Sequence, residues 1–136
     1  MKPVKQTRIH DPENGTVGNC WQACLASIFE IPIEDAPDID MFDDTWTAST
    51  YEWLYTLDLD MHFAKSPIPN RITILTGYTN RFDGTVLHSC VGMGNTVVHD
   101  PHPSNEGILN IKDCIVFEPQ TDNAKSLVKR LNLAWV

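Results

Sequence analysis

The chain is 136 residues long, 42% hydrophobic and 21% charged, which suits one domain, 1–136, with a real core and leaves no room for two of ordinary size. Ten Lys and Arg against eighteen Asp and Glu leave a net charge of −8, a field that repels phosphate backbones and argues against nucleic acid as a partner. No apolar run approaches the roughly 20 residues of a membrane-spanning helix, so no membrane partner is expected.

The basic start, 1–8, is followed by polar and charged residues where an export signal needs its apolar stretch. The expected setting is therefore the cytoplasm, where Cys20, Cys24, Cys90 and Cys114 stay reduced. A turn-rich lead-in over 11–15 gives way to Gly18-Asn19 and then Cys20-Trp-Gln-Ala-Cys-Leu-Ala-Ser-Ile-Phe, a helical pattern with Trp21, Leu25 and Ile28 on one stripe and Pro32 as its stop. Small Ala23, Ala26 and Ser27 let another element approach, so this helix is expected to be buried on most sides. Asn19 is its expected N-cap. An acidic loop over 33–44 leads to a second helix near 47–58, capped by Thr47 or Ser49.

The second half changes period. Segments 61–65, 72–82, 85–93, 96–100 and 114–117 are rich in Val, Ile, Thr and aromatics and predict an antiparallel sheet. Asp83-Gly84 reads as a two-residue hairpin between Phe82 and Thr85, and Gly94-Asn95 marks a second turn. A short amphipathic helix over 122–131 closes the chain, with Lys129 and Arg130 near its C-terminal end. The expected class is α+β, a nucleophile helix packed on an antiparallel sheet with a second helix and a short C-terminal one.

Cys20 starts the first helix, where unpaired N–H groups and the positive dipole end favour a thiolate. A cysteine hydrolase also needs an imidazole to carry the proton and a polar group to orient it. His88 and Asp100 are the candidates, and register decides whether they meet. A two-residue Gly94-Asn95 turn pairs Met93 with Thr96 and sets Ser89 opposite Asp100, whereas a three-residue loop pairs Gly92 with Thr96 and sets His88 opposite Asp100. The three-residue loop is the expectation. The oxyanion donor is expected to be the Cys20 N–H with a side-chain amide, Asn14 in preference to Asn19. Trp21, Asn19, His99 and His102 are the candidates for substrate contact. The plainer readings are a buried aromatic for Trp21, exposed loop residues for His99 and His102, and inert core thiols for Cys24, Cys90 and Cys114. The four-residue spacing of Cys20 and Cys24 is unlike that of zinc knuckles, and neither metal nor cofactor is expected.

Gly18-Asn-Cys-Trp-Gln-Ala-Cys, Leu87-His-Ser-Cys-Val and Val98-His-Asp-Pro together resemble the papain-like cysteine peptidases. Order and spacing are most similar to the bacteriocin-processing peptidase domains of peptide exporters, and the segment through Ser104 is similar to small papain-like proteins of bacteriophages. The resemblance covers roughly residues 10–105. It implies a papain-like fold, a Cys20–His88–Asp100 triad working through an acyl-enzyme, and a peptide or protein substrate, a host component among the possibilities. In such enzymes the amide six residues before the nucleophile is usually Gln, and here it is Asn14. The alternatives are the same site turned on a nucleotide-derived signal, an acyl transferase, or a non-catalytic inhibitor of a host protein.

Overall fold

The computed structural model describes residues 1–135. Its elements are α1 (Cys20–Phe29), α2 (Trp46–Tyr55), β1 (Leu59–Ala64), β2 (Ile72–Tyr78), β3 (Leu87–Met93), β4 (Thr96–His99), β5 (Ile111–Pro119) and α3 (Asp122–Leu131). The five strands form one antiparallel sheet in the order β1-β5-β2-β3-β4. The chain is thus an α+β fold of three helices and one sheet.

α1 is the structural centre. Every residue from Trp21 to Phe29 is buried, because the small residues admit β3 on one side while Trp21, Leu25 and Ile28 reach Ile74, Val91, Ile115 and Phe117 of the sheet. The helix stops where Glu30 turns left-handed at φ 57, its N–H returning to the Ala26 carbonyl, two residues before Pro32. α2 starts and ends earlier than its sequence pattern predicts. Thr47 and Ser49 lie inside it, and Asp43 holds its entry by accepting from the N–H of Thr45 at 2.8 Å. α3 has the predicted bounds. Thr121 caps it by accepting from Ala124 N–H at 3.1 Å, and Ala124, Val128 and Leu131 form its buried stripe.

Two sheet expectations are corrected. β2 ends at Tyr78 and β3 begins at Leu87, so Asp83-Gly84 does not join strands directly. Phe82, Asp83 and Gly84 have φ of 54, 54 and 71, and three successive left-handed residues cannot continue a strand. They turn the 79–86 connection into a loop. The second correction is the β3–β4 turn, which has two residues rather than three: Met93 pairs with Thr96. Gly94, at φ 59, takes the first central position, where a tight hairpin favours glycine.

The N-terminal segment has no regular structure but is firmly tied. Lys2 and Val4 donate to the carbonyl and hydroxyl of Ser27 on α1, and Gln6 N–H donates to the Pro101 carbonyl beyond β4. It therefore straps α1 to the segment that carries Asp100. No described helix is long and apolar enough to cross a membrane.

Candidate active site

Cys20 is the first residue of α1 and is partly exposed, while Cys24, Cys90 and Cys114 are buried; none of the four is bridged. Cys20 and His88 line one cavity at the start of β3, with Ser89 beside the sulfur. Burial alone pushes the Cys20 thiol up, but the imidazole and the two Ser89 donors outweigh it and hold the thiol below its ordinary value. At Cys24, Cys90 and Cys114 burial is the leading influence, and all three thiols are raised. Of the four thiols, Cys20 alone is held below its ordinary value.

His88 and Asp100 do meet, by a route the sequence reading missed. From the tight turn, Gly92 pairs with Val97, and an undisturbed ladder would next set Ser89 across from Asp100. A bulge intervenes between Gly92 and Val91, so that Val91 pairs with His99 and Val98 is the extra residue. Continuing the shifted register brings Asp100 across from Cys90, on the face that His88 shares because side chains alternate. His88 Nε2 then bonds Asp100 Oδ1 at 2.6 Å. With Nε2 committed, Nδ1 is the ring nitrogen left for the Cys20 sulfur.

Asp100 is buried, yet its carboxylate is fully served. Besides His88 it accepts from the N–H of His102 at 2.9 Å and of Gly107 at 2.7 Å. Burial pushes this carboxyl up, but these three bonds outweigh it and hold it well below the usual carboxylate range. Burial pulls the His88 imidazole down, and its bonds with Asp100, Cys20 and Cys90 more than reverse this, pushing it up to about 11. A depressed thiol beside a raised imidazole is the electrostatic signature of a thiolate–imidazolium pair.

The remaining candidates are sorted by the structure. Asn14 is exposed, its amide donates to Asp11 at 2.6 Å in the turn Pro12–Asn14, and it is not among the residues that line the cavity on Cys20. That short turn ties the amide expected of an oxyanion donor to its own cap. Asn19 is buried and makes no side-chain cap bond; its oxygen accepts from the N–H of Thr7 and Arg8, and its nitrogen donates to Thr7 and Gln22. It anchors the N-terminal strap and has nothing to spare for a substrate. Trp21 is a core residue, 1% exposed, donating to Thr50 at 3.1 Å. His99 donates to the Val4 carbonyl at 2.7 Å, another tie of the strap. His102 alone of the four lines the cavity, its ring edge-on to His88 at 6.1 Å. Burial, then the nearby Arg81 and His88 charges, pulls its imidazole down.

The cavity that opens on Cys20 has a volume of about 140 Å³. Gln6, His10, Trp46, Phe42 and Phe82 line it, none of which sequence reasoning singled out. No motif marks them: they come from the strap, the acidic loop, the start of α2 and the 79–86 loop, which meet only after folding. Gly18 makes that meeting possible, since a Cβ there would sit 2.9 Å from the His10 nitrogen. For metals, the donor atoms of His88, Cys90 and Asp100 lie within 4.8 Å of one another, as do those of Asp60, His62 and Glu118 on the far side of the sheet order. In the first group, nitrogen and carboxylate are already bonded to each other.

Compared with protein-family models, curated proteins and solved structures, the chain matches none of them.

Proposed function

We propose that this chain is a papain-like cysteine hydrolase in which Cys20 is the nucleophile, His88 the general base and then acid, and Asp100 the residue that fixes the imidazole. One observation carries the reading: a helix-start sulfur faces an imidazole whose far nitrogen is bonded at 2.6 Å to a buried, triply bonded carboxylate. That geometry supports reading the three groups as an activated nucleophile, a proton carrier and an orienting group.

In the reaction, the Cys20 sulfur attacks the carbonyl carbon of an amide, and the electron pair of the C=O moves onto oxygen. The Cys20 N–H, at the first position of α1, has no intrahelical acceptor and is free to stabilise the oxyanion. Gln6 supplies the side-chain amide expected of Asn14: one N–H of Nε2 goes to the Arg8 carbonyl at 2.7 Å, and its second is available. Collapse breaks the C–N bond, His88 gives its proton to the leaving amine, and a thioester remains on Cys20. Water, deprotonated by His88, then releases the acid and restores the thiol. An amine in place of water would make the same site an acyl transferase.

The test is acyl-enzyme formation from p-nitrophenyl acetate, followed by rapid mixing and peptide mapping. A burst of one p-nitrophenolate per chain, with acetyl on Cys20, is expected, as is loss of both in Cys20→Ala. Acetylation spread over lysines with no burst would contradict the proposal.

A further inference from the structure

We propose, resting on the hydrolase reading above, that Arg81 and His102 form a wall of the cavity that binds a carboxylate carried by the leaving half of the substrate. Of the segment His99-Asp-Pro-His-Pro-Ser104 the reaction uses only Asp100, which leaves His102 and Ser104 without a role. Ser104 ties Arg81 and His102 together. Its Oγ accepts from Arg81 Nη1 at 3.0 Å and from Glu106 N–H at 3.3 Å, so its own proton turns to His102 Nδ1 at 2.9 Å. The Ser104 N–H donates to the same Nδ1 at 3.0 Å. With two donors on Nδ1, the proton of the neutral ring sits on Nε2. Burial and the Arg81 and His88 charges favour that neutral ring.

Among the described residues, no acceptor meets His102 Nε2, nor Nε and Nη2 of Arg81, whose Nη1 alone is engaged, by Ser104 and by Glu106 at 3.4 Å. Both side chains line the cavity, and that of Arg81 is only 21% exposed. A guanidinium edge with parallel N–H groups, beside a ring N–H, matches the two oxygens of a carboxylate. Because Glu106 offsets part of the charge, the wall suits a monoanion better than a phosphate dianion. Position assigns the half of the substrate that carries it. The acyl half is bonded to Cys20 at the start of α1, whereas His88 hands its proton to the leaving group. The His102 ring stands edge-on to His88 at 6.1 Å, so the wall flanks the departing group. In a peptide, that carboxylate is the free end of a released C-terminal residue.

The acetyl esters of meta-hydroxybenzoate and meta-hydroxybenzamide test this in the full chain, because both leave the same acetyl thioester on Cys20 and differ only in what departs. In each, the sulfur attacks the ester carbonyl, the C–O bond breaks, and the phenol leaves with the proton from His88. Acylation rates are divided by those of free imidazole with the same ester, which removes the difference in leaving ability, and acetyl-Cys20 is read by peptide mapping. The carboxylate ester should lead by roughly tenfold or more, by a margin that shrinks with added salt. In Arg81→Gln the ratio should fall toward one. Arg71→Gln removes the same charge from a residue bonded to Asn132 at 2.8 Å and should keep the ratio. His102→Gln, whose amide still donates, should keep more of it than His102→Leu. A wild-type ratio of one, with the p-nitrophenyl acetate burst intact, would overturn the subsite, as would an unchanged ratio in Arg81→Gln or an equal fall in Arg71→Gln. Inorganic phosphate slowing the carboxylate ester at lower concentration than benzoate does would overturn the choice of a carboxylate. Absence of the p-nitrophenyl acetate burst in wild type would instead sink the underlying hydrolase reading.

Discussion

Two histidine–carboxylate pairs sit on this sheet. His62 and Glu118 meet at 2.5 Å across β1 and β5, and His88 on β3 meets Asp100, just past β4, at 2.6 Å. The contact distances are nearly equal, but the side chains of the first pair are 46% and 48% exposed and those of the second 5% and 3%. Water competes for the first pair and screens it. The second has exchanged water for fixed partners, so that each group's charge depends on the other's, and only there does a thiol stand on the imidazole's far side. Distance does not separate the two pairs; burial with complete bonding does.

The largest expected difference is in turnover. Asp100→Asn should lower acyl transfer from p-nitrophenyl acetate by roughly a thousandfold or more, because the imidazole loses its orienting charge, whereas Glu118→Gln should leave the rate unchanged. Comparable rates in the two variants would erase the distinction. Deleting Val98 tests the same link through the backbone. The residue is 45% exposed, so little packing is lost, and a regular ladder without the extra residue still pairs Val91 with His99 and sets Asp100 across from Cys90. The acylation burst should persist with the fold, and its loss would contradict that register.

Stability should separate the pairs next. Asp100→Ala leaves a buried, unanswered imidazolium and should cost about 3–5 kcal/mol in urea unfolding; Glu118→Ala, at the surface, should cost no more than about 1 kcal/mol. Smaller again is the pH effect. An imidazole raised in the folded state contributes stability that is full below its unfolded value, about 6.5, and is lost as pH rises through about 11. From about pH 9 to about pH 10.5 unfolded thiols and imidazoles are largely deprotonated. Over that window wild type should therefore lose up to about 1.4 kcal/mol more per pH unit than His88→Gln. Parallel profiles would show that His88 carries no raised proton affinity.

Legibility in the sequence followed the range of the interactions. α3 could be read to the residue because its cap, its buried stripe and its basic last turn are all local. The Cys20 helix start was legible for the same reason. The β3–β4 register was not: sequence marks the Gly94-Asn95 turn, but the bulge at Val98 depends on how Asp100 is held by Gly107 and how Pro101 meets Gln6, contacts made only in the folded chain. Asn19 had the composition of a cap, and tertiary contact with Thr7 and Arg8 claimed its side chain instead. The Asp83-Gly84 turn signal was sound as a turn, yet the left-handed Phe82 beside it made a cavity wall where a strand end was expected.

The most direct measurement is the rate of iodoacetamide alkylation against pH, with all four cysteines mapped, in wild type and His88→Ala. Cys20 alone should react rapidly below the ordinary thiol value of about 8.5, and in His88→Ala its profile should move up toward that value. Cys20 reacting no faster than Cys24, Cys90 and Cys114, or keeping its profile without His88, would contradict the thiolate–imidazolium site.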